Sequence, residues 1–206
     1  MILPDWHIIK LSERQAMIAP FVRERVNPAS IDLCISGEVV DIASSRRMQC
    51  DEMIRINPGQ HVLVSTVETV RLPDDVAGQL ILKSSMGRRG VSMPAAGWVD
   101  PGFVGTLTVQ ISACAPVLLT PGQPFVQLVL HKLSAAPDSA YNGHYQGQQG
   151  VTQAWDAEDD TGLASLNEVA NEHFIYTDRN ERLVLPNPKD NPASYTANDA
   201  GEWVLV

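Results

Sequence analysis

The sequence predicts a mainly β fold: a distorted β-barrel or jelly roll with one N-terminal helix, followed by a small acidic α+β extension. Three observations predict it. Turn-forming residues recur at intervals, in Asn57-Pro58-Gly59, Leu72-Pro73-Asp74-Asp75, Asp100-Pro101-Gly102 and Thr120-Pro121-Gly122. Between them lie short runs rich in β-branched and aliphatic residues, 61–67, 77–82, 104–111 and 125–133, which suit strands. In 106–111 the alternation is strict: Leu107, Val109 and Ile111 face one way, Thr106, Thr108 and Gln110 the other.

The helix is expected from about Asp5 to Ala19, with Pro20 ending it. The division into domains follows the charge. The 206 residues carry 15 basic and 24 acidic side chains, a formal net charge of −9. Residues 1–153 are nearly neutral, with 12 basic and 13 acidic side chains, whereas 154–206 hold three basic and 11 acidic ones and so carry −8. We therefore expect a main domain over 1–153 and an acidic extension over 154–206. In the extension a helix after Asp160 would bury Leu163, Leu166, Val169 and Ala170, and 174–176, 183–185 and 203–206 read as short strands.

A sequence pI near 4.9 argues against a nucleic-acid polymer or an anionic membrane as partner, while leaving room for a local basic pocket. Cys34, Cys50 and Cys114 are odd in number and share no close spacing, which reads as a reduced, cytoplasmic protein. The opening Met1–His7 lacks a basic stretch followed by an apolar run, and no segment approaches 18 apolar residues, so neither a signal peptide nor a membrane span is expected.

The densest chemistry lies in Lys83-Ser84-Ser85-Met86-Gly87-Arg88-Arg89-Gly90, where two hydroxyls, glycines and three cations follow a strand. Hydroxyls, cations and accessible backbone amides are what a polyphosphate needs. An ordinary polar turn with a solvated charge cluster would use the same residues. Asp100 stands between Gly97-Trp98-Val99 and a Pro-Gly turn. It reads either as a turn residue bonding its own backbone or as a carboxylate that orients a water or a sugar hydroxyl.

In order along the chain, these segments resemble the superfamily that joins trimeric dUTPases and dCTP deaminases. Ile2–Ile8 and Pro20-Phe21 resemble the opening of its deaminase-like branch, and Asn27–Leu33, with Asp32, its first motif. Ser84–Gly90 resembles the phosphate-binding serine motif, and Ala96–Phe103 the deoxynucleoside motif. Gly122–Val129, with Gln127, resembles the fourth motif, and Tyr141–Gly150 the segment that covers the phosphates in deaminases. The resemblance covers roughly residues 1–153. It implies a dUTPase-like barrel, a homotrimer with sites at subunit interfaces, and a deoxypyrimidine triphosphate (dUTP or dCTP) carrying Mg²⁺ on its phosphates, with no dedicated metal ligand in the chain. It also implies that Lys83, Ser84, Ser85, Arg88, Gln127, Tyr141, His144, Tyr145 and Gln148 serve the triphosphate. Ala96 and Trp98 would lie where the base is read, Asp100 would bind the 3′-hydroxyl, and Phe103 would pack on the sugar and exclude a 2′-hydroxyl.

Deaminases resembling this chain carry a Glu ten residues after the Asp that matches Asp100, and it takes a proton from the water attacking C4. Here that residue is Gln110. An amide takes no proton near neutral pH, and general-base help is worth about 10²–10⁴-fold in rate. On this ground the sequence favours a dUTP diphosphatase, with Asp100 orienting the water and Gln110 in the catalytic position. A dCTP deaminase and a catalytically inactive nucleotide-binding regulator stand as alternatives, and Glu68 would substitute for the missing carboxylate only if the fold brought it near. His144 stands where many deaminases carry a Lys. The zinc cytidine deaminases are excluded, because no His-x-Glu and Pro-Cys-x-x-Cys pairing is present.

Overall fold

The computed structural model describes residues 1–94 and 96–154 and, beyond them, the backbone of four short strands. Contacts divide the chain into two compact units, Met1–Ala154 and Trp155–Val206. Helix α1 (Asp5–Gln15) is followed by β1 (Ile18–Ala19), β2 (Val26–Asn27), β3 (Ser30–Asp41), β4 (Arg47–Gln49), β5 (Ile54–Ile56), β6 (His61–Arg71) and β7 (Val76–Leu82). Then come the one-turn helix α2 (Ser84–Gly87), β8 (Val91–Ser92), β9 (Trp98–Val99), β10 (Val104–Ala113), β11 (Val117–Leu119) and β12 (Pro124–Lys132).

Ten strands form one curled sheet. Its main path runs β8-β10-β6-β3-β12-β7-β9, with β1 on β6 and both β2 and β4 on β3. The curl comes from β3, whose first half pairs with β12 (Leu33 opposite Val126) and whose second half pairs with β6 (Val40 opposite Leu63). A sheet that bends this way wraps its inner face around a core, and the 31 buried residues of that core include Ile8, Leu33, Val64, Ile111, Phe125 and Leu128. The expected alternation on β10 holds from Leu107 onward, with Leu107, Val109 and Ile111 buried and Thr108 and Gln110 half-buried, but Thr106 is buried, because the register shifts between Thr106 and Thr108. Three Pro-Gly turns close through bonds to the third residue on, from Gln60 N to Asn57 O, Phe103 N to Asp100 O and Gln123 N to Thr120 O. Gly102, at φ +83°, occupies the left-handed position that such a turn reserves for glycine.

The helix is shorter than expected. Ala16 takes the left-handed conformation, and Ile18 and Ala19 pair with Val70 and Thr69 of β6. Met17 and Ile18 are buried in this arrangement, so burial against the sheet wins over helical continuation. In the second unit β13 (Tyr176–Thr177) pairs with β14 (Leu183–Val184), and β15 (Tyr195–Ala197) pairs with β16 (Trp203–Leu205). The helix expected after Asp160 lies outside the described residues.

Candidate active site

A cavity of about 670 Å³, a size suited to a small-molecule ligand, opens beside β10, where the core residues Leu80, Val99, Phe103 and Leu107 meet the half-buried Gln110. Strand pairing builds its floor. Gln110 on β10 lies opposite Leu63 on β6, and Leu63 lies opposite Val40 on β3, so the three side chains form one row across three strands. Ile42, Leu80, Val99 and Leu107 extend the apolar surface.

The walls come from two segments expected from the sequence. Ala96, Trp98, Asp100 and Phe103 line one side, and Tyr141, Tyr145 and Gln148 line another. Gly97 lets the first wall approach: a Cβ there would stand 2.8 Å from the Leu80 carbonyl oxygen, and Leu80 N donates to Gly97 O at 2.7 Å. The second wall is laid along β10. Gly147 N donates to Val104 O at 2.8 Å, Thr106 N to Gln148 O at 3.0 Å, and the Gln148 Nε2 to Thr106 O at 2.7 Å. Phe103 and Tyr141 meet across the two walls with ring centroids 6.0 Å apart.

The polar side chains on the lining include Asp100, Thr108, Gln110, Gln148, Thr152 and Gln153. Asp100 is exposed on the cavity lining, and its Oδ1 accepts a hydrogen bond from Trp98 Nε1 at 3.0 Å, which fixes one carboxylate oxygen. Among the described residues no hydrogen bond engages the Gln110 carboxamide, and Asp100 is the one carboxylate on the lining. Glu68 does not reach the site. It is 1% exposed, accepting from Arg25 Nη1 at 2.7 Å and from Cys34 N at 2.8 Å. That commitment rules out its substitution for the missing carboxylate.

The remaining expected site residues lie elsewhere in the unit. Lys83, Ser84, Ser85, Arg88, Gln127 and His144 do not line the cavity. Ser84, Ser85 and Arg88 are exposed on and just beyond α2. Lys83 pairs with Asp32, whose Oδ1 also accepts from Asn27 Nδ2 at 2.9 Å and from Gln127 Nε2 at 3.3 Å. The single chain thus presents a cavity and, apart from it, a cationic corner. Sequence reasoning missed the floor residues Val40, Ile42 and Leu63, because only pairing between strands far apart in sequence brings them beside Gln110.

Comparison with known proteins gives this geometry a context. A family model described as dCTP deaminase-like matches residues 2–133. The dCTP deaminase of Pyrococcus horikoshii is 37% identical over 155 residues, covering 71% of this chain and 92% of its own length. The dCTP deaminase of Thermococcus gammatolerans is 35% identical over 159 residues, covering 73% and 94%. The "dCTP deaminase, dUMP-forming" of Streptomyces coelicolor is 36% identical over 178 residues, covering 74% and 93%. Among solved structures, the 2′-deoxycytidine 5′-triphosphate deaminase of Agrobacterium tumefaciens superimposes with a TM-score of 0.56 at 20% identity, a likeness of fold alone. It covers 64% of this chain and 47% of that chain, so the match spans about half of that structure's length.

These relatives overturn the expectation of a dUTP diphosphatase. That expectation rested chiefly on Gln110 and on the short Gly97–Gly102 segment, whereas the similarity to deaminases extends over nine-tenths of their length. The chain belongs to the dCTP deaminase-like family.

Proposed function

We propose that the chain deaminates dCTP: dCTP and water give dUTP and ammonia. The observation that carries this reading is a single cavity in which Asp100, Phe103 and Gln110 face the space a deoxynucleoside would fill. The free oxygen of Asp100 accepts the 3′-hydroxyl, Phe103 packs on the sugar, and the base reaches the row of Gln110, Leu63 and Val40. Water adds its oxygen to C4. One of its protons ends on N3, and the other leaves with N4 as ammonia. The Gln110 carbonyl oxygen accepts a hydrogen bond from the water and orients it, without taking its proton. Turnover is expected to be about 10²–10⁴-fold slower than with a carboxylate in that position.

The cationic corner supports a site shared between copies. Ser84, Ser85 and Arg88 are exposed and away from the cavity of their own chain, as expected if they serve the triphosphate held by a neighbour in a homotrimer. Mg²⁺ would be carried on the phosphates of the nucleotide. Bound there, it would neutralise phosphate charge. The three free cysteines and a deoxynucleotide substrate fit the reducing cytoplasm.

The test is incubation of the full chain with dCTP and Mg²⁺ while ammonia and nucleotides are followed together. Ammonia in step with a deoxyuridine nucleotide is expected; no ammonia above the uncatalysed rate would overturn the reading. The shared site has its own test. Arg88→Ala and Asp100→Asn should each lose about 10²-fold or more in turnover. Refolding the two variants together should restore part of it, because some sites then combine an intact corner with an intact cavity.

A further inference from the structure

We infer that Gln110 makes the cavity hold the deaminated product, so that dUTP remains as a bound inhibitor. The inference rests on the reading above that the cavity takes the pyrimidine. Gln110 ends the row Gln110, Leu63, Val40 at the cavity floor, and among the described residues its carboxamide has no hydrogen-bond partner. The floor residues beside it in that row, Leu63 and Val40, are apolar, and the carboxamide joins Thr108, Thr152 and Gln153 among the polar side chains of the lining.

A carboxamide carries a donor and an acceptor side by side, and rotation by half a turn exchanges them. Cytosine presents a donor at N4 and an acceptor at N3. Uracil presents an acceptor at O4 and a donor at N3. In one orientation Gln110 Oε1 accepts from N4–H while Nε2 donates to N3; in the other, Nε2 donates to O4 while Oε1 accepts from N3–H. Both bases are satisfied in full. An ionised carboxylate only accepts, so against uracil it faces the O4 oxygen with a like partial charge and no proton between them. A Glu at this position would therefore help expel the product, and Gln110 removes that push. The apolar floor reinforces the effect, because a polar edge left unpaired beside Leu63 and Val40 would be costly.

The experiment measures binding of α,β-imido-dUTP to the full chain with Mg²⁺ by calorimetry, for wild type and Gln110→Glu. An abasic deoxyribose triphosphate serves as the reference ligand and reports that each variant is folded. Wild type should bind the imido nucleotide more tightly than the abasic one. Gln110→Glu should weaken the imido nucleotide by about tenfold or more while leaving the abasic ligand unchanged, the size expected when a charged group loses a hydrogen bond and gains a mismatched one. Equal affinity of wild type for the two ligands, or undiminished binding of the imido nucleotide by Gln110→Glu, would overturn the inference and leave ammonia release from dCTP intact. Failure of both ligands to bind wild type, with no ammonia from dCTP, would remove the inference together with the proposed function.

Discussion

Glu68 and Gln110 sit on adjacent antiparallel strands, β6 and β10, and point to opposite faces of the same sheet. Along β6 the side chains of Val62, Val64, Thr66, Glu68 and Val70 are all buried, and they form the core face. Leu63 belongs to the other face, directly opposite Gln110. Near Glu68 the pairing is irregular, with Thr106 opposite Thr69 but Thr108 opposite Ser65. Thr66 bridges the gap, donating from Oγ1 to Glu68 O at 2.8 Å and accepting from Leu107 N at 2.9 Å. The contrast is one of commitment. A charge on the core face persists only with its partners supplied, and once supplied it is chemically silent. An amide on the cavity face costs little when left without a protein partner, because solvent or a ligand can provide one.

The largest effect should come from breaking the committed side. Arg25→Ala leaves the Glu68 carboxylate buried with only the Cys34 amide, and removing one partner of a buried pair typically costs about 3–5 kcal/mol. Urea unfolding should therefore show a large fall in midpoint. Gln110→Ala should stay within about 0.5 kcal/mol of wild type, as expected for a side chain with no internal partner. The two effects should also be separable, since Arg25→Ala protein that remains folded should keep wild-type affinity for a deoxypyrimidine triphosphate. A mild Arg25→Ala phenotype together with a destabilised Gln110→Ala would reverse the comparison.

The same contrast explains what could be read from the sequence. The alternation in 106–111 was visible, and it placed Gln110 on the polar side of β10. The motif containing Asp100 and Phe103 and the segment 141–148 were visible as well, and both form cavity walls. Glu68 carried a local signal too: it continues the every-second-residue series Val62, Val64, Thr66 and Val70, which marks a carboxylate on a core face. Its partners were hidden, because Arg25 and Cys34 lie 43 and 34 residues away in sequence. The early end of α1 was hidden for a related reason. Met17 and Ile18 fit a helical pattern, and only the edge of β6 makes an extended conformation better for them.

The smallest effect concerns pH and tests whether the Glu68 region is as closed as its geometry implies. Cys34 is fully buried, and burial, aided by the nearby negative charge of Glu68, pushes its thiol from an ordinary value near 9 to about 12. A group whose folded value is raised contributes stability that is fully present below its unfolded value and is lost as pH rises toward the folded one. Wild type should therefore lose stability between about pH 9 and pH 12 more steeply than Cys34→Ala, even though the variant starts lower because a core atom is missing. Other groups titrate in this range, so the difference between the two proteins is the quantity to follow. Alkylation gives an independent reading at pH 8: Cys114, which is exposed, should react first, half-buried Cys50 later, and Cys34 only as fast as the chain unfolds. Parallel pH slopes for the two proteins, or early modification of Cys34, would mean that the Glu68 region opens to solvent, and Glu68 and Gln110 would then differ in partners but not in access.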